Sequence, residues 1–159
     1  MKRLNLGCGG DYRKDWINVD CRNNIIVDKK VDLEKYPYPF KNNEFDETLI
    51  SHVLEHLSEP IKTLKEIARI SKNNAKIVVN VPHATSYANI ASIQHKANFT
   101  EHSFTKEHLI EYDLEELELT KMEFVFRNKW KKFIPLKQFL KIFIMGLYDD
   151  LRFEFRVKK

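Results

Sequence analysis

The 159-residue sequence predicts an α/β fold on a mostly parallel sheet. Three observations point there. Short apolar segments rich in β-branched residues alternate with helical patterns. A glycine loop follows the first segment directly. The second and third segments each end on an aspartate.

In chain order, residues 2–6 (KRLNL) read as the first strand and residues 16–20 (WINVD) as the second, ending on Asp20. Residues 25–32 (IIVDKKVD) contain a third, ending on Asp32. Residues 44–51 (EFDETLIS) give a fourth, starting near Phe45. Residues 75–81 (AKIVVNV) are apolar enough for a central fifth strand. A helical segment, 52–57, follows the fourth strand. Pro60 suits a first helical turn, and Ile61, Leu64, Ile67, Ala68 and Ile70 then recur at helical spacing. Asn73 and Asn74 are expected to close that helix. Thr105 can cap a short helix from Lys106, without a full capping box because His108 stands at the third position. Residues 114–120, 122–127 and 151–157 carry strand patterns, and 135–148 looks helical. With no repeat, low-complexity run or linker, the sequence predicts one domain over 1–159.

Composition narrows the function classes. The first strand begins at Lys2, so no leader is expected. The longest apolar stretch, near 139–148, is short and contains Lys141, so no membrane span is expected. Cys8 and Cys21 are too few for a disulfide framework, which fits a reducing, cytoplasmic setting. The net charge of +4 is uneven. Residues 127–159 hold ten Lys/Arg and three Asp/Glu, a balance of +7, leaving −3 for residues 1–126. Such a segment can attract phosphates or nucleic acid, although a solvated face is the commoner meaning.

Gly7 and Gly9 let the loop turn tightly and let backbone N–H groups approach a ligand closely. Asp20 can accept both hydroxyls of a ribose, and Asp32 can accept from an adenine amino group. All three features lie at carboxyl ends of strands, where open α/β sheets bind ligands. The dinucleotide pattern is disfavoured: Tyr12 stands where its third glycine belongs, and residues 7–15 are short for a crossover.

Four motifs in order, LNLGCGG (4–10), WINVD (16–20), VDLEKYPYPF (31–40) and FDETLISHVLEHL (45–57), resemble the class I S-adenosylmethionine-dependent methyltransferases, near the small "type 11" group. The resemblance covers about the first 80 residues. It implies a Rossmann-like, seven-stranded, mostly parallel sheet with an antiparallel last strand, here with a truncated first helix. It also implies S-adenosyl-L-methionine as cofactor, bound around Asn5, Gly7, Cys8, Gly9, Asp20, Asp32, Leu33, Ser51, His52 and Glu55. Asn5 replaces the family's usual acid in the first strand, and Asp11 replaces its third glycine.

Methyl transfer from an activated sulfonium needs an oriented acceptor and, for some acceptors, a base. Histidine titrates in the right range, so His52, His83 and His95 are the candidate catalytic residues. Residues 84–104 are expected to shape the acceptor pocket or a lid. A small-molecule acceptor, such as a sugar or phosphorylated metabolite, is favoured. Nucleic-acid methylation is the alternative suggested by Trp130, Lys131, Lys132 and Phe133. A non-catalytic cofactor-binding module is a further alternative. HVLEH (52–56) also spells an HxxEH zinc-hydrolase motif, with His52 and His56 sharing a helix face and Glu55 as base. No third ligand is apparent beyond Glu111, Glu115 or Glu123, so no metal is expected. Oligomeric state is not readable.

Overall fold

The computed structural model describes residues 1–136, 140 and 144–159. Seven strands form one sheet: β1 (Arg3–Leu6), β2 (Ile17–Asp20), β3 (Lys29–Lys30), β4 (Phe45–Ser51), β5 (Ser71–Pro82), β6 (Leu117–Val125) and β7 (Asp150–Val157). Their order is β3-β2-β1-β4-β5-β7-β6. The first five pair in parallel, and β7 runs antiparallel between β5 and β6.

The helices are α1 (Pro60–Ile70), α2 (Tyr87–Ala91) and α3 (Lys106–Glu111). Pro60 starts α1, and Thr63, Leu64, Ile67, Ala68 and Ile70 are its buried stripe. Complete burial of a side chain such as Leu64 or Ile67 stabilises by about 1.5–3 kcal/mol. The helix stops at Ile70, where the Ser71 hydroxyl donates to the Ile67 carbonyl at 2.7 Å. Asn73 and Asn74 therefore do not close it; they lie within β5. Thr105 caps α3, its hydroxyl accepting from His108 N–H. The two strand patterns after Leu114 are one strand, β6, with an irregularity between Leu119 and Lys121. Part of the helix expected over 135–148 lies outside the described residues.

Neither β1–β2 nor β2–β3 is joined by a helix, so the first helix is reduced to turns. The β3–β4 connection is also helix-free. It is held by Arg69, whose guanidinium donates to the Phe40 and Tyr38 carbonyls, each at 3.1 Å, and to both Glu66 oxygens at 2.8 Å.

These missing helices leave the two sheet faces unlike. One face carries Leu4, Leu6, Val19, Ile50, Ile77, Val79, Phe153 and Phe155 and packs on α1 and α3 in the main core. Phe104 meets Phe153 and Phe155 edge-on at 4.8 and 5.4 Å. The opposite face carries cross-strand charges: Arg3 with Glu47 (3.3 Å), and Lys76 and Arg152 with Glu154 (2.8 and 3.0 Å). Leu49 and Val78 are buried there, outside the main core. A parallel sheet ordinarily carries apolar side chains on both faces; the antiparallel β7 departs from that. Its sequence alternates, with Leu151, Phe153, Phe155 and Val157 buried and Arg152, Glu154 and Arg156 pointing away.

Candidate functional site

The loop after β1 turns at Gly7 and Gly9, with φ of +64° and +54°. A Cβ on Gly7 would lie 2.4 Å from Val53 Cγ2. The loop is tied to β2 by Cys8 N–H donating to the Val19 carbonyl (3.0 Å) and Gly9 N–H donating to Asp20 Oδ2 (3.0 Å). Asn5 is buried beneath it and donates to the Asp11 carbonyl at 2.7 Å and to Asn18 Oδ1 at 3.2 Å. Its carboxamide thus shapes the loop from below. The Cys8 side chain is buried too, and that burial pushes its thiol pKa up.

A cavity of about 660 Å³ opens beside this loop, within the size range of small-molecule sites. Gly7, Asp20, Asp32 and Leu33 line one side; His52, Val53 and His56 line another; Ile93, Gln94 and Lys96 add a third. Ser51, Glu55, His83 and His95 do not line it. Ser51 accepts from Asn80 Nδ2 at 3.1 Å. Burial pushes the Asp20 carboxyl up, but bonds from Arg22 and Gly9 outweigh that and hold it below the usual range. Asp32 is half-buried, one residue beyond Val31, and accepts from Glu34 N–H at 3.1 Å.

His52 follows β4 with φ of +54°, an uncommon backbone state for a non-glycine residue. Its N–H donates to the Asn80 carbonyl at 2.9 Å, which fixes that turn. Residues Leu54–His56 then make one 3-10 turn. His52 therefore lies outside the helical turn that holds His56, and the two do not share a helix face. The Glu55 carboxylate, 3.6 Å from His52 Nδ1, raises the His52 pKa against a burial effect that lowers it.

His83 is buried and fully engaged. Thr85 N–H donates to its Nδ1 at 3.1 Å, so Nε2 carries the proton that faces Glu101 Oε2 at 3.3 Å. The ring also packs on Tyr148 at 5.5 Å. It is not among the residues that line the cavity.

Of residues 84–104, Ile93, Gln94 and Lys96 line the cavity. Lys96 and Ala97 N–H groups donate to the Glu55 carbonyl at 2.7 and 3.2 Å. That docking brings His95 against His56, with ring centroids 4.7 Å apart. Several described basic residues of the tail pair internally. Arg127 pairs with Asp150, Lys131 with Asp149 and Lys158 with Glu118. Lys159 donates to the Ser71 carbonyl at 2.7 Å, beyond the end of α1. No helix among the described residues is long and apolar enough to cross a membrane.

Residues 8–79 match the family model described as a methyltransferase domain. The crystal structure of an S-adenosylmethionine-dependent methyltransferase from Archaeoglobus fulgidus has the same fold, with a TM-score of 0.72 and 20% identity over 98% of this chain and 86% of that one. Two uncharacterized proteins of Methanocaldococcus jannaschii, MJ1123 and MJ0638, are 33% and 35% identical over 54% and 52% of this chain. The chain spans 40% and 41% of their lengths. The Archaeoglobus fulgidus protein depends on S-adenosylmethionine. In this chain Asp20, Asp32 and Leu33 could hold an adenosine, and the Gly7 side of the cavity could hold an amino-acid end.

Proposed function

We propose that this chain binds S-adenosylmethionine as a single unit and transfers its methyl group to a small-molecule acceptor held between His52, His56 and residues 93–96. The observation that carries this reading is the cavity itself. Gly7, Asp32, Leu33 and His52 come from three different connections and Asp20 from the end of β2, yet all face one space. Orientation in such a space supplies about 7–11 kcal/mol of barrier reduction. His52 is the best-placed base among the three histidines, being exposed at the cavity and oriented by Glu55. Internal pairing of Arg127, Lys131 and Lys158 favours a small molecule over nucleic acid. A reducing, cytoplasmic setting suits the exposed free thiol of Cys21.

Calorimetry with S-adenosylmethionine and S-adenosylhomocysteine tests the donor site, and a labelled-methyl screen of sugars, small amines and RNA tests the acceptor. Donor binding with label entering a sugar or amine is the expected result. Label entering RNA alone would overturn the small-molecule reading. Binding without any transfer would leave a cofactor-binding module.

A further inference from the structure

Glu55 is a buried carboxylate, 1% exposed, and its Oε2 has no hydrogen-bond partner. An unsatisfied buried carboxylate oxygen is costly, and a native fold keeps one where something else binds it. One nitrogen from each of His56 and His95 and one Glu55 oxygen lie within 4.8 Å of one another.

Hydrogen bonds set the histidine tautomers. Asn89 Nδ2 donates to the Ala84 carbonyl and to Asn98 Oδ1, at 3.1 and 2.7 Å. Its Oδ1 is thereby left to accept from His95 Nδ1 at 2.9 Å. His56 Nδ1 faces the Gln94 carbonyl at 3.4 Å, which can only accept. Both rings then carry their protons on Nδ1 and keep a lone pair on Nε2. Outer partners of this kind, a carbonyl or amide oxygen behind each imidazole, orient histidines that ligate metals.

We propose that Glu55, His56 and His95 form a binding site for a divalent first-row transition ion at the edge of the cavity. Two imidazoles and one carboxylate suit zinc, cobalt or manganese better than magnesium, which prefers an all-oxygen shell. Ligands on such an ion sit about 3.4 Å apart at tetrahedral angles, so from a spacing within 4.8 Å the cluster closes by at most about 1.4 Å on loading. Three protein ligands leave positions open toward the cavity that His56 lines. Resting on the methyl-transfer reading, the ligand for that open position is a hydroxyl of the acceptor. Its proton passes to His52 or water, its oxygen lone pair forms the new O–C bond, and the C–S bond breaks with its electrons on sulfur. The sulfonium becomes a thioether. This assignment differs from a zinc hydrolase, because His52 is not a ligand and His95 arrives from a distant loop.

Cobalt(II) titration of the metal-stripped full chain tests the site through its visible absorption. One equivalent is expected, displaced by zinc and not by magnesium. Glu55→Gln and His95→Ala should each weaken cobalt binding by more than the roughly 10–100-fold that loss of an outer partner costs, and Asn89→Ala by about that amount. His102→Ala, at an exposed histidine outside the cluster, should leave it unchanged. Circular dichroism confirms that each variant is folded. The proposal is overturned if no stoichiometric cobalt binds, or if Glu55→Gln and His95→Ala both retain full affinity. Calorimetry with S-adenosylmethionine on the same samples separates the two readings. Donor binding without cobalt overturns only the metal site, and cobalt binding without the donor overturns only the methyl-transfer reading.

Discussion

Arg22 lies across the carboxylate of Asp20, with Nε 3.2 Å from Oδ1 and Nη2 3.2 Å from Oδ2. These are the two oxygens a ribose would use. The guanidinium is more than half exposed, so it can swing away when a ligand enters. Asp20 is buried, but solvent screening at the exposed guanidinium holds the pair to about 1 kcal/mol. Arg22→Ala should therefore tighten S-adenosylmethionine binding by up to about fivefold. Asp20→Ala should weaken it by about 10–100-fold, since hydrogen bonds to a charged group contribute about 1.5–3 kcal/mol. Calorimetry on both variants decides, and unchanged affinity in Asp20→Ala would remove that residue from the site.

Gly7→Ala should destabilise the fold by about 1–3 kcal/mol, from positive φ and the overlap with Val53. Adding Val53→Ala removes the overlap but keeps the backbone strain, so stability should return only in part. Thermal melts of the single and double variants report this. Full recovery in the double variant would mean that strain contributes nothing.

Glu66 gives a pH signature. Arg69, and then the Tyr38 N–H, hold its carboxyl below the ordinary range against burial. A carboxyl depressed in the folded state stabilises above its unfolded pKa, and that contribution is lost as pH falls through the folded value. Glu66→Gln should lower stability at neutral pH by about 1.5–3 kcal/mol. It should also flatten the loss of melting temperature on acidification below about pH 5. Parallel acid profiles for the two proteins would contradict this.

His83 and His52 should separate cleanly. His83→Ala should cost about 1–3 kcal/mol of stability while leaving donor affinity and turnover per folded molecule near normal. His52→Ala should leave donor affinity within a few-fold and, with a base-requiring acceptor, reduce turnover by about 10²–10⁴. Equal turnover in wild type and His52→Ala would exclude His52 as base.

Strand identities and the loop were legible because they rest on local chemistry. β-Branched runs make strands, Gly7 and Gly9 have few other uses, and Asp20 ends its strand by a readable pattern. Helix ends were less so: Ser71 stops α1 through a hydrogen bond to Ile67 that spacing cannot show. The histidines divided for a similar reason. His83 pairs with Glu101 and His95 meets His56, contacts spanning 18 and 39 positions that exist only after the 84–104 segment docks on Glu55. The charged sheet face did leave a trace, in the alternation of Leu151–Val157 in β7 and in connections too short for helices.

The ion pairs of Lys76, Arg152 and Glu154 stand well along the sheet from the glycine loop, on a wall that no described helix shares with the main core. That wall is a surface where sign and spacing of charge can be rewritten without touching the ligand edge. For an engineer it offers a tethering side: a carrier module or an immobilising support of matched charge could be joined there, away from the cavity beside the glycine loop.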